Sequence, residues 1–260
     1  MRVELLGPLR AFNDDGDDLE LVSSSAKELL AVLAMRPGKP MGICWLADAL
    51  REGCTLSPSA LRTRVMVLRR MLRGDRGRVH RSENGYWLDV RPGERDLDDY
   101  QRFTEQGRVA LAAGKADVAV RLLARAVSMW REPALANFPR TEPLILEIMQ
   151  LETMHQRTTE LLLDARLGLG HHRELLGQLR AQVKDNPADE VAHERLMVAL
   201  YRSGRRAEAF EVYDLLRKTL IEWGIDPGAS VRDMHQRMLI DDPALEVPPS
   251  GLIRLNRWGL

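Results

Sequence analysis

The stretch Ser57–Arg73, SPSALRTRVMVLRRMLR, constrains the chain more than any other. Ser57 is a helix-capping residue and Pro58 suits a first helical turn. Leu61, Val65, Leu68 and Leu72 recur at i, i+4, i+7 and i+11, which is one face of an α-helix. The other faces carry Arg62, Arg64, Arg69, Arg70 and Arg73, with no acidic residue between Ser57 and Arg73. Surface helices ordinarily mix signs, because opposite charges at i,i+4 stabilise them. An unmixed basic face, anchored by an apolar stripe, is the footprint of a surface that meets a polyanion. A merely solvated face is the other reading of the same residues.

The charge is local. The 260 residues hold 38 basic and 38 acidic side chains, so the chain as a whole is not a basic nucleic-acid coat. Between Arg51 and Arg81, however, nine arginines face only Glu52 and Asp75. From Asp96 onward 22 basic residues meet 25 acidic ones, so that part is not built to touch phosphates. Cys44 and Cys54 make neither a disulfide framework nor a metal set, and no apolar run is long enough to span a bilayer. The N-terminus lacks the apolar core of a signal peptide. The expectation is a cytoplasmic protein with no membrane contact.

The elements around the arginine stretch give it a setting. Arg2–Phe12, broken by Gly7-Pro8, reads as two short strands, and Leu19–Val22 as a third candidate. Ser23, Ser24 and Ser25 offer helix caps, and Glu28 stands at capping-box spacing from Ser25. Leu29, Leu30, Val32, Leu33 and Met35 carry that helix to Arg36-Pro37-Gly38, which stops it. A second helix covers about Ile43–Arg51, a loop follows, and then the arginine helix. Val79–Val90 contains Asn84-Gly85 between apolar residues, a hairpin signal that asks for positive φ at both turn centres. Sheet, three helices and hairpin in this order predict a winged helix-turn-helix over 1–95, in which the third helix enters the major groove.

The rest predicts helices. LAAGKADVAVRLLARAVSMW, LGLGHHRELLGQLRAQVKDNP and LYRSGRRAEAFEVYDLLRKTL share an apolar residue, a glycine three later, and a further apolar residue five after that. The glycines are Gly114, Gly170 and Gly204, and the last two lie 34 apart, the tetratricopeptide period. One long helix, about Glu142–Leu167, interrupts the array. Residues 96–243 therefore predict an all-α, tetratricopeptide-like domain, and 244–260 a linker and tail. The fold class is mainly α, with an α+β N-terminal part. Stacked helix pairs commonly bind protein, though a domain that only dimerises would read alike.

The segments VMVLRRML, NGYWLDV, RDLDDYQRF, LAAGKADVAVRLLARAVSMWREPAL, ALYRSGRRAEAFEVYDLLRKTLIEWGIDPGASVRDMHQ and DDPAL resemble the SARP/AfsR family of bacterial transcriptional activators. The likeness runs from about Val3 to Leu245. The resemblance implies an OmpR-like winged helix followed by a bacterial transcriptional activation domain. It implies a dimer on direct repeats of double-stranded DNA near a promoter, contact with RNA polymerase and its sigma factor, and control of a secondary-metabolite (antibiotic) gene cluster. The loop Glu52–Pro58 is the candidate polymerase contact. The chain departs from the family at Ser24-Ser25-Ala26-Lys27-Glu28, where Gly-Pro-Lys-x-Arg is usual, and at Leu50-Arg51, where Leu-Trp is usual.

With the apolar stripe turned inward, Ser59, Arg62, Thr63 and Met66 face the groove. Arg62 can fork to guanine O6 and N7, and Thr63 or Met66 can meet a thymine methyl. Arg64, Arg69, Arg70 and Arg73, with Arg81 and Asn84 of the wing and Lys27 of the first helix, are candidate phosphate contacts. No catalytic, metal or cofactor set is expected. His171-His172 are adjacent and point apart, and the two Gly-Lys pairs, at 38–39 and 114–115, lack the rest of a P-loop. The alternatives are a tetratricopeptide scaffold, or a repressor using the same DNA-binding domain.

Overall fold

The computed structural model describes residues 1–19, 23–50, 57–72, 77–136, 138 and 141–245, without the side chains of 142 and 143. Leu56, Arg73, Val22 and the tail 246–260 thus lie outside the described residues, as does most of the loop 52–58. The fold is mainly α, with a winged-helix part at its N-terminus. No described helix is long and apolar enough to cross a membrane. Two compact units emerge: Met1–Glu105 with Leu122–Thr159, and Gln106–Arg121 with Glu160–Leu260. The first runs past residue 95 and takes in later helical segments.

In the first unit, β1 (Arg2–Glu4) and β2 (Arg10–Phe12) pair antiparallel with Val3 opposite Ala11. Asp18 bridges back to Phe12, and the Leu19 N–H donates to the Ala11 carbonyl at 2.8 Å. The remainder of the third strand candidate lies outside the described residues. Helix α1 (Ser24–Met35) buries every residue from Glu28 to Met35. A helix that is apolar all round must be a central one. Its cap is Ser23, whose hydroxyl accepts from the Ala26 N–H, so the expected capping box from Ser25 does not form. Moving the cap two residues upstream carries Glu28 beyond the first turn and into the core, where it is 5% exposed.

A two-residue strand, β3 (Met41–Gly42), precedes α2 (Ile43–Ala49) and was not anticipated from the sequence. It joins a three-stranded antiparallel sheet in the order β3-β5-β4, with β4 at Val79–Arg81 and β5 at Gly85–Leu88. The hairpin forms where expected, but its turn is a different one. Neither Asn84 nor Gly85 takes positive φ, and the Ser82 N–H closes on the Gly85 carbonyl at 2.9 Å. Gly85 is required for another reason: a Cβ there would stand 1.7 Å from the Met41 carbonyl oxygen. The glycine lets β3 lie against β5.

Asp96, at the start of α4 (Asp96–Ala112), is 2% exposed and accepts the backbone N–H groups of Leu5 (2.8 Å) and Leu6 (3.0 Å). Arg95 caps the C-terminus of α1 through the carbonyls of Ala34 (2.8 Å) and Met35 (3.0 Å). One apolar core runs through this unit, from Leu5, Leu30 and Leu88 to Tyr100, Leu135 and Ile148.

Helices α5 (Ala116–Ser128) and α6 (Glu142–Gly168) follow. In the second unit α7 (His172–Asp185), α8 (Glu190–Arg202), α9 (Arg206–Glu222) and α10 (Ala229–Leu239) pack in succession around Leu175, Leu179, Leu196, Leu200, Leu216 and Val231. Gly114, Gly170 and Gly204 all take positive φ (70°, 87°, 79°) at turns between successive helices, where a side chain would strain the backbone. Ala119 and Ala209, five residues on from the first and last of these, are fully buried, as close helix packing needs. Arg195, 7% exposed, ties α8 to α6 through Asp164 at 2.7 and 3.1 Å.

Candidate nucleic-acid interface

Helix α3 (Pro58–Met71) forms as its sequence asks. The Ser57 hydroxyl accepts the Ala60 N–H at 3.2 Å, Pro58 occupies the first turn, and Leu61, Val65, Leu68 and Leu72 are buried. Burying four such side chains contributes on the order of 6–12 kcal/mol before ordering costs, enough to fix which face remains outside. That face holds Ser59, Arg62, Thr63, Met66 and Arg70, all exposed.

Between α3 and the hairpin lies an open groove of about 560 Å³ lined by Arg62, Val65, Met66, Arg69, Arg70, Arg81 and Tyr86. Four of its seven lining residues are arginines and none is acidic. Met66 is 65% exposed, an apolar side chain held in water at the middle of a cationic surface. Among the described residues the Arg62 Nε reaches only the Pro58 carbonyl of its own helix, at 3.3 Å. The guanidiniums of Arg70 and Arg81 have no partner among the described residues. The wing is stiffened by His80 stacked on Trp87, with ring centroids 4.2 Å apart.

Not every predicted contact joins this groove. Ser59 and Thr63 stand on the exposed first turns, their hydroxyls engaged locally with the Ser57 hydroxyl (2.9 Å) and the Ser59 carbonyl (3.2 Å). Lys27 sits half-buried on α1, away from the groove lining. The Asn84 side chain is exposed at the wing turn, and its carbonyl accepts the Ile43 N–H at 2.9 Å. Arg73 lies outside the described residues.

Arg64 and Arg69, assigned to phosphates by the sequence reading, are engaged inside the domain. Arg64 donates to Glu28 Oε2 and to the Leu50 carbonyl, each at 3.3 Å. Arg69 places Nε and a terminal nitrogen on the Val79 carbonyl, at 3.1 and 2.6 Å. One signal for the first pair was present in the sequence. A lone carboxylate heading the apolar run of α1 needs a buried cation.

A second groove, about 550 Å³, lies within the helical unit between α7, α8 and α9. Val183, Leu196, Leu200, Val212 and Leu215 form its apolar wall, with Arg180 and Glu208 paired across it at 2.8 Å.

Comparison with known proteins agrees with this architecture. The family model of the bacterial transcriptional activator domain matches residues 95–239. The regulatory protein DnrI of Streptomyces peucetius is 28% identical over 98% of this chain and all of its own length. The transcriptional regulator RedD of Streptomyces coelicolor is 30% identical, over 95% of this chain and 73% of its own. The solved structure of Mycobacterium tuberculosis EmbR, in complex with a low-affinity phosphopeptide, superposes with a TM-score of 0.84 at 26% identity. It covers 93% of this chain, and this chain spans 65% of that one. A family model over more than half the chain, and a relative covered for most of its length, establish that the chain belongs to the SARP family of bacterial transcriptional activators.

Proposed function

We propose that the chain is a sequence-specific DNA-binding activator that acts by binding rather than by catalysis. The observation that carries this reading is the groove between α3 and the wing, where Arg62, Arg70 and Arg81 present uncompensated charge around the exposed Met66. Arg62 sits early on α3, the part of a recognition helix that meets base edges. A guanidinium there reads guanine O6 and N7, and Met66 meets a thymine methyl. Arg70 and Arg81 hold phosphates on either side and fix the register without reading sequence. Ser59 and Thr63, on the same exposed face of α3, complete the groove-facing set, with Thr63 a second candidate for a thymine methyl; Lys27, Asn84 and Arg73 are further backbone contacts.

Two protomers bind head to tail on direct repeats near a promoter, as a dimer on DNA. The tetratricopeptide-like helical array and the loop 52–58 contact RNA polymerase and its sigma factor. The apolar groove between α7 and α9 is the surface of the array suited to a protein segment. The controlled genes are those of a secondary-metabolite (antibiotic) cluster, a reading that rests on family membership alone. DNase footprinting of the full chain on the promoters flanking its own gene, followed by transcription with purified polymerase, tests the proposal. Protected direct repeats and a rise in transcript are expected. Protection without a rise identifies a repressor, and no protection at low salt removes the DNA-binding reading.

A further inference from the structure

We propose that Arg64 and Arg69 are positioning residues, two internal staples that set the pose of the recognition helix, while Arg62, Arg70 and Arg81 carry the charge offered to the duplex. The inference rests on the DNA-binding reading above and divides its arginines into two kinds.

Arg64, on α3, links all three helices of the motif. Its guanidinium joins the Glu28 carboxylate on α1 and the Leu50 carbonyl at the end of α2, both at 3.3 Å. The Arg64 side chain is 19% exposed and that of Glu28 only 7%. The other Glu28 oxygen takes the Ser24 hydroxyl at 3.2 Å. Swinging Arg64 out to a phosphate would leave a buried carboxylate without its cation and a helix-end carbonyl without its donor. Both losses oppose the movement.

Arg69 does the same on the other side. β4 is an edge strand of its sheet, and the Val79 carbonyl takes two donors from Arg69. That pair docks the wing against the last turn of α3. The two staples are five residues apart, about 7.5 Å along the axis, so together they fix both the tilt and the rotation of the helix. Rotation matters because helical side chains reach about 5–6 Å from the axis, where a turn of about 15° moves a tip by roughly 1.5 Å. A bidentate base contact tolerates about 0.5 Å. The staples therefore govern which bases Arg62 reaches, not how much charge the domain carries.

The test separates these roles by salt. A duplex selected by the wild-type full chain from a random pool, and a shuffled version of it, are titrated between about 50 and 250 mM salt. Melting temperatures are measured in parallel, and binding is read well below each of them. Arg70→Gln and Arg81→Gln are expected to make the log Kd against log salt slope shallower by about 1 each, with little change in the ratio of selected to shuffled affinity. Arg69→Gln and the paired Glu28→Gln/Arg64→Gln variant are expected to keep the wild-type slope while that ratio falls about tenfold or more.

A slope shallower by about 1 in either staple variant would make that arginine a phosphate contact and overturn the assignment. A lowered melting temperature with an unchanged ratio would overturn it equally, since that is all a merely structural pair would give. If the paired variant does not fold, Arg69→Gln and Arg64→Lys decide the matter by the same two readouts. Failure of the wild type to show any salt-dependent binding refutes the DNA-binding reading itself, and the division of arginines falls with it.

Discussion

The Arg78 guanidinium closes on the Glu94 carboxylate through two hydrogen bonds of 2.6 and 2.8 Å. Arg78 stands just before the first strand of the wing and Glu94 just before α4, so the pair ties the base of the wing to the segment that leaves the winged-helix part. The Arg91 N–H adds a third donor to Glu94 at 2.7 Å. Burial alone would raise the Glu94 pKa, but the hydrogen bonds from Arg78 and Arg91 outweigh it and hold the carboxyl below its ordinary 4.5. A carboxyl lowered in the folded state stabilises the protein above its unfolded pKa. That stabilisation is lost as pH falls through the folded value. Glu94→Gln is thus expected to be less stable than wild type near neutrality, with the difference shrinking as pH falls from about 5 to 3. Urea midpoints across that range check it, and a difference independent of pH would show that the charge of Glu94 is not what matters.

Gly85→Ala should be far more damaging than its place beside a hairpin turn implies. The added methyl would lie 1.7 Å from the Met41 carbonyl oxygen and 2.6 Å from its carbon, so backbone must move. The expected loss is about 3 kcal/mol or more, with β3 pushed off β5. Asn84→Ala is expected to cost less than about 1 kcal/mol, because Asn84 does not occupy the left-handed conformation that would favour asparagine. Thermal unfolding of the two variants side by side checks both. Equal losses would mean that the turn, not the packing of β3, sets the requirement at Gly85.

These two cases mark what the sequence made legible. The spacing of Leu61, Val65, Leu68 and Leu72 fixed the buried face of α3, and Gly114, Gly170 and Gly204 marked helix turns, because helical period and glycine φ are local properties. The cap at Ser23 was not distinguishable from Ser25, since three serines in a row offer the same hydroxyl. β3 was missed because two residues make no alternation and its pairing with β5 spans more than 40 positions. Glu28 on an apolar helix signalled that a cation was needed, but which arginine supplies it, and what Arg69 meets, was not legible for a related reason. Composition marks an arginine as cationic, but only the fold brings Glu28, 36 residues away, beneath one and the Val79 carbonyl beneath the other.

Asp96 offers a test of how the N-terminal segment is held. Its two oxygens accept the N–H groups of Leu5 and Leu6, and all three residues are nearly inaccessible to water. Burial is the largest influence on its carboxyl and raises its pKa, with the two backbone hydrogen bonds opposing. Asp96→Ala strands two buried donors, at about 1–3 kcal/mol each. Asp96→Asn keeps one acceptor and is expected to lose roughly half as much. Amide exchange at Leu5 and Leu6, measured with the unfolding free energy, checks the mechanism. Unchanged protection of both amides in Asp96→Ala would show that other acceptors replace the carboxylate.

The division between reading and holding is testable on the exposed face of α3. Arg62 and Met66 both line the groove, and among the described residues the Arg62 guanidinium is held only by the Pro58 carbonyl of its own helix. A guanidinium that forks to a guanine contributes to one base pair and little to the others. Arg62→Ala is therefore expected to reduce discrimination at a single G·C position by about 1–3 kcal/mol while leaving preferences elsewhere in the site intact. If Met66 meets a thymine methyl as proposed, Met66→Ala is expected to lose about 1 kcal/mol of preference at a different position, an A·T pair. Neither change touches the apolar stripe beneath α3, so melting temperatures are expected to stay within a few degrees of wild type. Binding to a set of duplexes carrying every single-base substitution of the selected site measures all of this at once. An equal loss across every duplex for Arg62→Ala would place that arginine on the backbone, and the base-reading role would then fall to Met66 and Thr63.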